Sequence, residues 1–129
     1  MIAVRYFSRS GNVKAIAEAI AKATCTEAVS VTDAAAALAE PVDTLFVGGA
    51  LYAYGIDDAL KAYLQSLDAS CVKKAVVFSS SWVSKHAIDL IKGELEARGI
   101  AVEAETFYVR SKPSAAQLEE ASAFAKKFI

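Results

Sequence analysis

The sequence predicts an α/β chain built as a three-layer, doubly wound sheet of five parallel strands in the order 2-1-3-4-5. Short β-branched or apolar runs alternate with segments of helical period, which is the signature of a parallel sheet. Turn and cap residues fall at the junctions between them. The 129 residues are 55% hydrophobic and 22% charged, enough apolar area for one core, so a single domain over 1–129 is expected.

The elements follow in order. Residues 2–7 form the first strand, and Val13, Ile16, Ala17, Ile20 and Ala21 then recur on one face of a helix. A second strand covers 27–31. Asp33 can cap a short helix over 34–39, which rests on alanine propensity and has a thin apolar face. After Pro41 comes a third strand over 44–49, then a helix that places Ile56, Leu60, Leu64 and Leu67 together, with Asp57 and Asp58 as its caps. A fourth strand over 75–78 precedes a helix opened by Lys85 and His86, carrying Ile88, Ile91 and Leu95, and stopped by Gly99 after Arg98. The fifth strand, over 102–109, brings Tyr108 and Arg110 to its end, where Arg110 reads as a surface ion-pair residue. Beyond Pro113, Ser114 caps a last helix with Leu118, Ala121, Ala125 and Phe128 inward.

Charge and cysteine usage exclude several function classes. Fourteen Lys and Arg against fifteen Asp and Glu give a net charge of −1, without the basic stripe of a nucleic-acid binder. No apolar run reaches the roughly 18 residues that would span a bilayer. The chain enters its first strand directly from Met1 with no basic stretch ahead of it, so no secretory signal and a cytoplasmic location are expected. With one His, and with Cys25 and Cys71 far apart, there is no ligand cluster for a metal and no redox dithiol; two reduced, packed thiols are expected.

Right-handed crossovers put the ligand crevice at the carboxyl ends of the strands, beside the switch point between the first and third. Three loops converge there, 8–13, 50–57 and 79–86. The first reads Ser8-Arg9-Ser10-Gly11-Asn12-Val13. A helix N-terminus offers unpaired N–H groups and a positive dipole end to a phosphate, the Ser and Asn side chains add donors, and Gly11 allows close approach. An ordinary Ser/Asn cap reads the same way, so the loop alone leaves both uses open. It lacks the GxGxxG of a dinucleotide site and the GxxxxGK of a P-loop. It also lacks the Cys of a low-molecular-weight phosphotyrosine phosphatase. The acidic pair and phosphorylatable Asp of a response-regulator receiver are replaced by Phe7-Ser8 and Gly48-Gly49-Ala50.

Tyr6 to Val13 resembles the phosphate loop of the flavodoxin family, a strand followed by Ser/Thr-x-Ser/Thr-Gly-x-Ser/Thr. Phe46 to Gly55 is similar to that family's third strand and second flavin loop, and Val76 to Trp82, with the following helix and Arg98-Gly99-Ile100, to its fourth strand and third loop. The match runs in order over nearly the whole chain. It implies a flavodoxin-like fold, FMN as cofactor, and electron carriage to a redox partner protein or a small redox substrate. In that family the protein binds and orients the cofactor and contributes no nucleophile or base, so no catalytic residue is assigned. Carried over by position, Ser8, Arg9, Ser10, Gly11, Asn12 and Val13 would wrap the phosphate. Leu51, Tyr52, Tyr54 and Gly55, with Ser79, Ser80, Ser81 and Trp82, would flank the ring. Tyr52, Tyr54 and Trp82 are the candidates for stacking, worth on the order of 1 kcal/mol beyond area burial. Gly55 could turn its carbonyl toward the reduced flavin N5–H. Val13 departs from the pattern by replacing its last hydroxyl, and the near-neutral charge departs from the strongly acidic low-potential members. The alternatives are an interaction module without cofactor and a small FMN-dependent quinone or porphyrinogen oxidoreductase, a type the family includes.

Overall fold

The computed structural model describes residues 1–82 and 84–129. β1 (Ile2–Tyr6) leads into α1 (Asn12–Ala23), β2 (Ala28–Ser30) and β3 (Val42–Gly49). Then come α2 (Asp58–Ser66), β4 (Val72–Ser80), α3 (His86–Ala97), β5 (Ala101–Val102), β6 (Phe107–Val109) and α4 (Ala115–Lys126). All ladders are parallel. β1 pairs both β2 and β3, with Val4 opposite Ala28 and Phe46, and β3 pairs β4 with Leu45 opposite Ala75. The sheet order 2-1-3-4-5 is as the alternation predicts, with β5 and β6 sharing the outermost position beside β4.

Strand alternation sends side chains to two cores. Val4, Phe46, Val76 and Phe78 meet Val13, Ile16, Ile20, Ala121 and Phe124 from α1 and α4. On the other face Leu45, Val47, Ala75 and Val77 meet Leu60 and Leu64 of α2 and Ile88, Ile91 and Leu95 of α3. Strands buried on both faces explain the near-continuous apolar runs of β3 and β4. The caps also hold where expected: Asp57 accepts from Ala59 N–H, and Ser114 forms a capping box with Gln117. Asp58 is the first residue of α2, not its cap.

Three expectations are corrected. Residues 34–39 form no α-helix but one 3₁₀ turn, Ala34–Ala36. Arg5 Nε and Tyr63 OH both donate to the Ala36 carbonyl, Ala37 is extended, and Pro41 has no N–H with which to continue a helix. The strand over 102–109 is interrupted. From Ala75 to Phe78 β4 advances three residues while its partner advances five, from Val102 to Phe107, so the chain bulges outward. Glu103 and Glu105 of that bulge pair with Lys74 and Lys127. Cys25, at φ 57, is exposed and Cys71 is half-buried, so neither is a packed core thiol, and both are unpaired.

No helix among the described residues is long and apolar enough to cross a membrane. None of their His, Cys, Asp and Glu side chains form a group able to hold a metal ion.

Candidate functional site

The carboxyl ends of β1, β3, β4 and β6 bring the three loops to one edge of the sheet. In the first, Ser8 Oγ accepts from Gly11 N–H at 3.0 Å, a local turn that orients the entry to α1. Gly11 is the N-cap at φ 93, in the left-handed region, and has open space where a Cβ would lie. It has no side chain with which to cap, and the first turn of α1 carries no acid. The leading N–H groups of the helix therefore lack side-chain acceptors, whereas those of α2 and α4 are capped. Ser10 is exposed and Asn12 begins the helix. Val13 is turned into the core at 2% exposure, so it offers this loop a backbone N–H and no side-chain contact.

The second loop is a tight turn. Tyr52 N–H donates to Gly55 O at 2.7 Å and Gly55 N–H to Tyr52 O at 3.0 Å, with Gly55 at φ 113. The Gly55 carbonyl thus faces Tyr52 N–H in this structure. Leu51 packs inward against the α2/α3 core. Tyr52 and Tyr54 stack with centroids 6.1 Å apart, and Tyr54 remains 60% exposed.

Arg9 reaches across from the first loop. Its guanidinium lies 4.2 Å from the Tyr52 ring centroid, donates to Asp57 Oδ2 at 2.7 Å, and also donates to Tyr54 OH. Burial pushes the Asp57 carboxyl upward, but the Ala59 N–H and Arg9 outweigh it and hold the group below its ordinary range. Hydrogen bonding to Asp57 raises the Arg9 pKa in turn. Burial raises the Tyr52 phenol, with Arg9 opposing.

The third loop is shorter than the expected 79–86, because Ser79 and Ser80 are the last residues of β4 and are buried. Pairing with β6 carries the ladder that far. Ser79 Oγ donates to Gly49 O at 2.7 Å and Ser80 Oγ to Ser111 O, so both hydroxyls tie backbone together. Ser81 differs: its Oγ is buried with no partner among the described residues, while its carbonyl accepts from Tyr108 OH. Trp82 is 68% exposed, and the Arg110 guanidinium lies 4.8 Å from its ring centroid. Lys85 Nζ is 5.5 Å from the Tyr108 ring centroid.

Residue pattern alone missed three of these partners. Asp57 reads as a cap and also anchors Arg9. Arg110 reads as an ion-pair residue and stacks on Trp82 instead, and Tyr108 holds the Ser81 backbone. Their common signal is position: Tyr108 lies near the end of β6, Arg110 just past it, and Asp57 closes the second loop.

The donor set fits an aromatic phosphate ester. An uncapped helix start accepts a phosphate, while Tyr54 and Trp82 present large apolar rings from two neighbouring loops. Among the described residues, the buried Ser81 hydroxyl has no hydrogen-bond partner.

Residues 3–118 match the family model described as a flavodoxin domain. Among solved structures, a flavodoxin from the domain Archaea superposes with a TM-score of 0.78 at 24% identity, covering 99% of this chain and 96% of that one. Flavodoxin 1 from Bacillus cereus gives 0.79 at 24% identity, covering 98% and 95%. Rubredoxin oxygen:oxidoreductase from Desulfovibrio gigas gives 0.82 at 16% identity, with 98% of this chain matching 34% of that larger one. No curated protein matches by sequence.

Proposed function

The chain belongs to the flavodoxin domain family, and from that premise we propose that it holds FMN at the three-loop edge and carries electrons between redox partners. One observation carries the reading. An α1 N-terminus free of any side-chain cap or acid lies at the same edge of the sheet as the exposed rings of Tyr54 and Trp82. The phosphate would lie against Ser8, Ser10, Gly11 and the N–H groups of Asn12 and Val13. The ring would lie between the loops bearing Tyr54 and Trp82, with Tyr52, covered by Arg9, supporting from behind.

When bound, FMN supplies one- and two-electron redox chemistry at its ring. This chain's own residues bind, orient and shield it. One feature supports a carrier over a dedicated enzyme: the exposed rings of Tyr54 and Trp82 leave the edge open to a partner.

Stopped-flow mixing tests this assignment. FMN-loaded protein, reduced chemically, should pass electrons rapidly to a one-electron acceptor such as ferricyanide, with no steady-state turnover of a reduced nicotinamide and a quinone. Sustained nicotinamide-dependent quinone turnover would assign it to the enzymes instead.

A further inference from the structure

We infer that Arg9 is a positioning residue that clasps the first loop to the second and sets the spacing of the two halves of the site before any ligand arrives. This rests on the FMN reading for its purpose but on geometry for its substance. Residues 45 and 48 positions apart in sequence are joined by one guanidinium, through Tyr54 OH and Asp57 Oδ2. Its central carbon lies over the Tyr52 ring at the same time, 4.2 Å from the centroid. The other Asp57 oxygen, Oδ1, accepts from Ala59 N–H at 2.8 Å, so the clasp continues into the start of α2. Loop 1, loop 2 and a helix terminus are thereby coupled through one ion pair.

A cation beside a phosphate loop invites the simpler view that it reads the phosphate's charge. The structure favours the other role, because Asp57 lies 2.7 Å from Arg9 and neutralises it. The Asp57 side chain is 13% exposed and that of Arg9 51%, so solvent screens the pair and its Coulombic energy is small. What remains is orientation. A guanidinium can hydrogen-bond in its plane and stack by its face together, which an ammonium cannot do.

The test uses full-length protein in two states. In the flavin-free protein, hydrogen exchange at the amides of residues 52–57 should accelerate several-fold in Arg9→Ala and Asp57→Asn, with Asn retaining the helix cap. FMN and riboflavin affinities should then fall by a similar factor, about tenfold, in both single variants. The double variant should lose no more than either, as for two residues acting through one contact. Arg9→Lys should recover only part of the loss. A fall confined to FMN would make Arg9 a phosphate reader, and unchanged exchange with additive losses would remove the clasp; either overturns the inference. If the wild-type chain binds no flavin, the FMN reading fails while the exchange result still decides the clasp.

Discussion

The ring of Phe78 on β4 fills the space above Gly48, its register partner on β3; a Cβ at that glycine would come within 2.3 Å of the ring. The two glycines at the end of β3 differ in this respect. Gly48 faces a rigid buried ring, and Gly49 faces Leu60 Cδ2, also at 2.3 Å but at the end of a side chain that can turn. Gly48→Ala should cost about 1–3 kcal/mol in urea unfolding through overpacking, and Gly49→Ala should cost less. Equal costs would mean that β3 yields as easily beside Phe78 as beside Leu60.

Ser10→Asp should separate folding from binding. A carboxylate just ahead of α1 interacts favourably with the helix dipole, so the flavin-free protein should melt no lower than wild type. The same charge repels a phosphate at that position, so FMN binding should be lost. FMN affinity unchanged in this variant, measured by fluorescence titration, would place the phosphate elsewhere.

Asp57 supplies an acid dependence with a defined direction. Its carboxyl is held below 3.8, burial opposing and the Ala59 N–H and Arg9 prevailing. A carboxylate with a depressed folded pKa stabilises the native state above its unfolded value and loses that contribution as pH falls. The stability gap between wild type and Asp57→Asn should therefore be present at neutral pH and close as pH drops from about 4 through the lower folded value. A gap that persists unchanged in strong acid would contradict the Arg9 pairing.

Lys85 and Arg110 bring positive charge to the third-loop side, and neither forms an ion pair among the described residues. A unit charge about 8 Å away at an effective dielectric of about 40 is worth roughly 1 kcal/mol. For a one-electron couple that is some tens of millivolts. Redox titration of FMN-loaded Lys85→Glu should show the second reduction step shifted to a more negative potential than in wild type. No movement would remove Lys85 from the field around the ring.

Local pattern accounts for the elements that packing also favours. In α1, Val13, Ile16, Ala17, Ile20 and Ala21 are both the periodic residues and the buried ones. Residues 34–39 misread because alanine propensity is a weak preference, and Arg5 and Tyr63 compete for the Ala36 carbonyl from distant elements. The outer strand misreads because a bulge carries no periodic signature beyond its acids. At the candidate site, the position of Ser8 to Asn12 at a strand-to-helix turn is legible in the sequence. The inward turn of Ser79 and Ser80 depends on the carbonyls of Gly49 and Ser111, which nothing local announces. The Arg9–Asp57 and Arg110–Trp82 contacts join separate loops, so no spacing in the chain encodes them.

On the proposed reading, the three-loop edge binds FMN by its phosphate and its ring together. Titrating flavin-free protein with FMN, while following both flavin absorbance and Trp82 emission, tests it most directly. One equivalent of FMN should bind saturably, more tightly than riboflavin, and quench the single tryptophan as it does so. Folded protein that takes up no FMN at saturating concentration, its Trp82 emission unmoved, would rule out a flavin site at this edge.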